Sequence, residues 1–365
     1  MAKKKIYYQY GKKKILYMNK GDNINEINTL TALSNNFDVY YSGNKFDNTK
    51  KDFGMKDYIG RIKPLKNCDL YIIRANKQLF NDIVGQKKIW MSSPYEKGCF
   101  KQATAIGTFT KSWEKMLNSG CVFPGLNPKG NTYKNTITIY QTISNRFKPL
   151  QSREKTQKIR VEMGANTRSD GNFVIGCFGR ISKYTYPHLL LSIWERLVQK
   201  YPKIKLLVGT TTGSFVKRLP NTTVLRIPHK KMPFYLSACD AVVSCQRNPE
   251  LSSGFGPEWE VCGNLKVKEP AACGVPVIMQ LSDARYEEFG DYELFLPRGS
   301  CSLPISEEAQ YNLFRKIEYL INNKEASKAI GEYVHSKMQF YSLQNSSIRL
   351  EKQINALLNG DYYEV

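Results

Sequence analysis

The sequence predicts an α/β protein of two domains, each a parallel sheet with helices between its strands, followed by a helical tail. Three observations carry this. The chain has 365 residues, about twice the usual length of a single domain. Short apolar runs alternate with polar-faced helical stretches, and after an interruption the rhythm restarts in the second half. From Ser306 the periodicity becomes helical throughout. The expected divisions are residues 1–150, 151–340 and a terminal helix over 341–365, which can pack back on the first domain.

In the first half, ILYMN (Ile15 to Asn19) reads as a strand, Asn25 to Asn35 as a helix and DVYYS as the next strand. DLYIIRA (Asp69 to Ala75) and KKIWMSS (Lys87 to Ser93) follow as strands. A helix is predicted from Thr110 to Asn118, with Thr110 as its cap and Ser112, Trp113 and Met116 after it. Strands joined in this way by helices imply parallel pairing. The region from Asn127 to Asp170 is rich in Lys, Thr, Asn, Arg and Gly, contains Pro149 and lacks a long apolar segment. The domain junction is placed there.

The second half begins with NFVIGCFGR, then a helix from about His188 to Lys200, the strands KIKLLVGT and TTVLRIPH, and a helix near Met232 to Ala238. DAVVSC, a helix near Lys266 to Cys273 and GVPVIMQ complete it. Each strand is a run of four to six mostly aliphatic residues, the pattern of strands covered on both faces. The tail follows Leu313, Ile317, Leu320 and Ile321, then Ile348, Ile354, Leu357 and Leu358, an amphipathic helical spacing.

Hydrophobic residues make up 41% and charged residues 24%, a globular composition. No run approaches the roughly 20 apolar residues that a spanning helix requires, and MAKKKIYYQYGKKK has no apolar core of a secretory signal. Nine cysteines occur without a CxxC pair, with Cys177, Cys239 and Cys273 in apolar runs. A soluble, cytoplasmic protein is expected. The formal charge of +22, from 54 Lys plus Arg against 32 Asp plus Glu, favours polyanions, anionic membrane surfaces or phosphate-bearing substrates. The lysines are spread along the chain rather than gathered on a recognisable module, which argues against nucleic acid.

In an open parallel sheet, ligands lie outside the carboxyl ends of the strands. Three segments of the second half fall there. GCFGRISK, Gly176 to Lys183, leaves the opening strand: Gly179 allows close backbone approach, while Arg180 and Lys183 suit a diphosphate. A surface turn with two solvated cations is the plainer reading. The segment from Gln246 to Gly263 contains SSGFGPEWEVCG, whose Glu258 and Glu260 accept hydroxyl donors; as a mobile surface loop it would do nothing of the kind. In the helix running into GVPVI, Glu269 faces the same crevice if the helix starts near Leu265, and a ribose diol is its natural partner. Pro270 suits a first-turn position. The bland alternative is a solvated first-turn glutamate.

IGCFGRISK, IPHKKMPFYLSACDAVVSC and NLKVKEPAACGVPVIMQLSDARYEEFGD, in this order, resemble the C-terminal domain of the retaining GT-B glycosyltransferases, in particular glycosyltransferase family 4 (glycosyl transferases group 1). The resemblance covers the second half of the chain, and the first half shares only the strand and helix rhythm. It implies a GT-B fold, two Rossmann-like domains with parallel sheets facing a cleft that closes on the donor. It further implies that Arg180 and Lys183 bind the donor diphosphate, that Glu269 binds the ribose, and that no metal or other cofactor is needed. The donor would be a nucleoside diphosphate sugar, GDP-mannose first and UDP-glucose second. The acceptor would be a hydroxyl of a glycan, glycoprotein or lipid. Association with an anionic membrane surface and a homodimer are compatible with this reading.

Two departures bear on mechanism. The family commonly carries a second glutamate eight residues before the one matched by Glu269, where this chain has Val261. Either Glu260, with Glu258 nearby, takes that catalytic role, or backbone N–H groups between Cys262 and Asn264, including Gly263 and Asn264, hold the sugar. The family's N-terminal-domain histidine also has no counterpart, since the histidines are His188, His229 and His335. His188 and His229 are expected as helix-cap or surface residues. Gly21 is the best match to the family's glycine loop after the first strand, with Gly11 second, while Asp22 suits a helix cap. Tyr95 and Trp113 belong either to an acceptor site or to the core. A sugar-nucleotide epimerase and a non-catalytic sugar-nucleotide or polyanion-binding protein are the competing functions.

Overall fold

The computed structural model describes residues 3–10, 24–43, 56–57, 67–74, 77–91, 102–119, 135–150, 153–162, 164–165, 172–179, 187–210, 219–245 and 265–361. They form two units, one made of the described residues up to Ser144 together with those from Phe340 onward, the other of those from Asn145 to Gln339.

In the first unit β1 (Lys5–Tyr10) is followed by α1 (Ile24–Ser34), β2 (Asp38–Gly43), β3 (Lys56–Asp57), β4 (Leu70–Arg74), α2 (Lys77–Asp82), β5 (Lys88–Met91), β6 (Ala105–Thr108), α3 (Lys111–Asn118) and β7 (Thr136–Thr138). The strands pair in parallel in the order β3-β2-β1-β4-β5-β6-β7. The first strand lies at KIYYQY, earlier than the ILYMN expected, and residues 15–19 fall outside the described residues. Successive side chains of a strand point to opposite faces, and the core divides accordingly. Ile6, Tyr8, Leu70, Ile72, Ile89 and Met91 pack with Leu30 and Leu33 of α1. Tyr7, Tyr71, Ile73 and Trp90 pack on the other face with Phe80 of α2. Thr110 caps α3 by accepting from Trp113 N at 3.1 Å. Trp113 is fully buried with Ile106, Met116 and Leu117, so of its two expected places it takes the core.

The first helix of the second unit is α4 (Arg153–Glu162), which lies inside the region where the domain junction was placed. Then come β8 (Phe173–Phe178), α5 (His188–Lys200), β9 (Ile204–Gly209), β10 (Thr222–Leu225), α6 (Met232–Ala238), β11 (Ala241–Ser244), α7 (Leu265–Ala272), β12 (Val277–Gln280), α8 (Asp283–Phe289), β13 (Phe295–Leu296), α9 (Glu307–Asn322) and α10 (Lys324–Met338). The parallel order is β10-β9-β8-β11-β12-β13, the doubly wound arrangement in which the chain leaves β8 to one side and β11 continues on the other. α5 buries Leu189, Leu190, Ile193, Trp194 and Leu197, one helical face.

Two pairs of opposite charge are buried in this unit. Arg160 of α4 donates to the carbonyls of Ala238 and Asn172 and to Asp240 Oδ2, each at 2.9 Å, and Asp240 Oδ2 also accepts from Val174 N at 2.7 Å. Lys268 of α7 meets Glu288 of α8 at 2.8 Å with both side chains fully buried. α10 packs on the end of α7: a Cβ at Gly331 would collide with the carbonyl of Gly274, and His335 Nδ1 lies 2.8 Å from the carbonyl of Ala272.

The chain then returns to the first unit through α11 (Leu343–Asn359). Leu350 and Ile354 enter the same core cluster as Ile6 and Leu30. Ser347 Oγ donates to the carbonyl of Ala32 at 2.9 Å, and Gln353 to that of Thr138 at 3.1 Å.

Candidate functional site

The carboxyl ends of β8 and β11 mark the switch point of the second sheet, and α7 follows β11. β8 ends at Phe178, and the next residue, Gly179, has φ +116, a conformation that disfavours any residue with a side chain. Its N–H donates to the carbonyl of Gly209 at the end of β9, at 2.9 Å. A Cβ at residue 179 would lie 2.8 Å from Nζ and 3.0 Å from Cδ of Lys266, and closer still to Cε. The glycine therefore provides both a backbone turn and the space through which a lysine from α7 passes. Gly179→Ala should cost about 1–3 kcal/mol from backbone strain, with Lys266 displaced as well. Thermal unfolding of Gly179→Ala beside Gly179→Ala/Lys266→Ala separates the two effects, because only the collision is relieved in the double variant.

α7 begins at Leu265, so Glu269 is its fifth residue and Pro270 lies in the helix interior, not in the first turn. Pro270 removes the N–H that would bond to the carbonyl of Lys266. Glu269 is not a solvated glutamate: its side chain is 12% exposed, and Oε1 lies 2.9 Å from His229 Nε2. His229 opens a short 3-10 turn, His229–Lys231, after Pro228, and its ring packs 5.2 Å from that of Phe147. His229, expected as a helix-cap or surface residue, does open a turn but also has a carboxylate partner, which stands forty residues along the chain. His188 is the first residue of α5, behind Pro187.

Thiols gather at the same ends of the strands. Burial pushes Cys177 up to about 11, with the nearby charge of Lys266 opposing it. Cys245 is raised by its hydrogen bond with the free thiol of Cys301 and by burial. Raised thiols are poor nucleophiles. Among the described residues no group of three or more His, Cys, Asp or Glu side chains is placed to hold a metal ion, and no helix is long and apolar enough to cross a membrane.

Of the residues singled out in the sequence, Gly179 and Glu269 belong to this arrangement. Arg180, Lys183, Gly21, Glu258, Glu260, Gly263 and Asn264 lie outside the described residues, as do Gly11, Asp22 and Tyr95. Sequence reasoning missed Lys266 and the role of His229. Lys266 was within reach, because it precedes Glu269 by three residues and so shares its helix face. Together the groups offer an ammonium for phosphate oxygens and a carboxylate that accepts from hydroxyls.

No protein-family model and no curated protein sequence matches the chain. Solved structures do. HepE of Anabaena, in complex with UDP and glucose, aligns with a TM-score of 0.67 at 15% identity over 97% of this chain and 100% of that one. A glycosyltransferase of Rickettsia africae aligns with a TM-score of 0.72 at 10% identity, covering 98% and 99% of the two chains. A sucrose-phosphate synthase of Thermosynechococcus elongatus gives 0.65 at 13% identity, covering 98% and 100%. At such identities the likeness carries the architecture, and that architecture is GT-B, with two Rossmann-like units and C-terminal helices.

Proposed function

We propose that the chain is a glycosyltransferase that moves a hexose from a nucleoside diphosphate sugar to a hydroxyl of a glycan, glycoprotein or lipid, with retention and without a metal. The observation that carries the reading is Glu269 of α7, beside the switch point of the second sheet: its carboxylate is held by His229 at 2.9 Å and stands ready for hydroxyls. The unit holding β8 to β13 would bind the donor and the other unit the acceptor.

In this reading Glu269 accepts from the ribose diol, and His229 fixes the carboxylate through Oε1. Arg180 and Lys183, next along the chain after Gly179, neutralise the diphosphate as the glycosidic bond lengthens and negative charge grows on the departing nucleoside diphosphate. The acceptor hydroxyl attacks from the face the diphosphate leaves, with a donor phosphate oxygen taking its proton. Glu260 or Glu258 would hold the sugar. Since HepE was crystallised with UDP-glucose, that donor leads the test panel, ahead of GDP-mannose.

Calorimetric titration of UDP-glucose, GDP-mannose and UDP-N-acetylglucosamine, in chelator, should give micromolar binding of one of them, weakened about tenfold or more by Glu269→Ala. Incubation of that donor with the enzyme alone should release free sugar slowly. Binding without release or transfer would favour a non-catalytic binder, which Val261 in place of the family's glutamate makes a fair rival. A donor returned with an inverted sugar centre would identify an epimerase. No binding of any of the three would sink the proposal.

A further inference from the structure

Lys266 lies in the first turn of α7, and its side chain runs over the α-carbon of Gly179. Any side chain at residue 179 would occupy that path, so the glycine at φ +116 forms a slot filled by this lysine. The charge of Lys266 also acts on Cys177, opposing the burial that raises that thiol to about 11. The ammonium is therefore placed beside the end of β8. Glu269 follows three residues later on the same helix face. A cation and a carboxylate one turn apart, over the switch point of a doubly wound sheet, match a phosphate and the neighbouring diol of one nucleotide.

We infer that Lys266 is a diphosphate-binding residue and that Gly179 is the slot delivering it to the phosphate oxygens. The inference rests on the donor-binding reading above. Arg180 and Lys183 follow β8 in the chain, whereas Lys266 comes from the helix after β11. Charge from a second βα connection lets the site grip the diphosphate from two elements. A lysine is a point charge that can follow the phosphate as the sugar leaves.

The test compares UDP, GDP and UMP binding by calorimetry to the wild-type protein, Lys266→Met and Lys266→Arg. In parallel, acetic anhydride labelling of the wild-type protein, with and without the nucleoside diphosphate that binds, is read by peptide mass spectrometry. Lys266→Met is expected to weaken the diphosphate about tenfold or more. The loss for UMP should be much smaller, and Lys266→Arg should recover most of the affinity. Bound diphosphate should protect Lys266 from acetylation. If Lys266→Met does not fold, the labelling decides alone: protection supports the assignment and unchanged labelling overturns it. Wild-type binding that Lys266→Met leaves within about twofold, with labelling unchanged, removes Lys266 from the site while the donor reading stands. Wild-type protein that binds neither UDP nor GDP overturns that reading, and the role of Lys266 with it.

Discussion

Lys268→Met is expected to destabilise the protein by about 3–5 kcal/mol, because it removes one partner of an ion pair whose side chains are both fully buried. Taking a carboxylate out of water is tolerable beside the ammonium at 2.8 Å and costly without it. The loss should depend on pH. Burial pushes the Glu288 carboxyl above its ordinary range, and the attraction of Lys268 works against that shift. Without the lysine the rise is larger. A carboxyl whose folded value is raised contributes stability below its unfolded value and loses it as pH climbs through the folded value. The Lys268→Met penalty should therefore be greatest near about pH 8 and shrink towards about pH 5, as Glu288 takes up a proton. Lys268→Met/Glu288→Leu, with no charge left to strand, should recover most of the loss. Urea unfolding at the two pH values measures all of this, and a penalty independent of pH would mean that Glu288 does not carry the cost.

Arg160→Met should cost a similar amount, about 3–5 kcal/mol. It strands Asp240 and the carbonyls of Ala238 and Asn172, which one guanidinium now satisfies together. Arg160→Lys should recover only part, since an ammonium cannot reproduce the planar fork that spans three acceptors. The measurement is the calorimetric Tm of the three proteins. An Arg160→Met protein as stable as wild type would show that the network is incidental to holding α4.

The same residue explains a failure of sequence reading. α4 is REKTQKIRVE, almost wholly polar, and its anchor is a buried arginine. Periodicity of apolar residues cannot see an element held by charge. β6 and β7, AIGT and TIT, escaped for another reason: they are too short to stand out from a loop. Runs such as KIWM, IKLLVG and VIMQ were legible because strands covered on both faces are continuously apolar. At the site, Glu269 could be picked out by its distance from Gly274 and Pro276. Its bond to His229 could not, since a contact across forty residues is a property of the folded sheet.

The place of α11 has a consequence for biosynthesis. Leu350 and Ile354 are the last buried residues of a core that starts with Ile6, with Leu357 and Leu358 packed against it. A nascent chain emerges from the ribosome in sequence order. The strands of the first unit are thus translated early but wait for this helix, while the unit between them can complete its own core in the interval. Until then the face that receives Leu350 and Ile354 is open to water, and to any chaperone that binds apolar surface. The unit begun first is the one finished last.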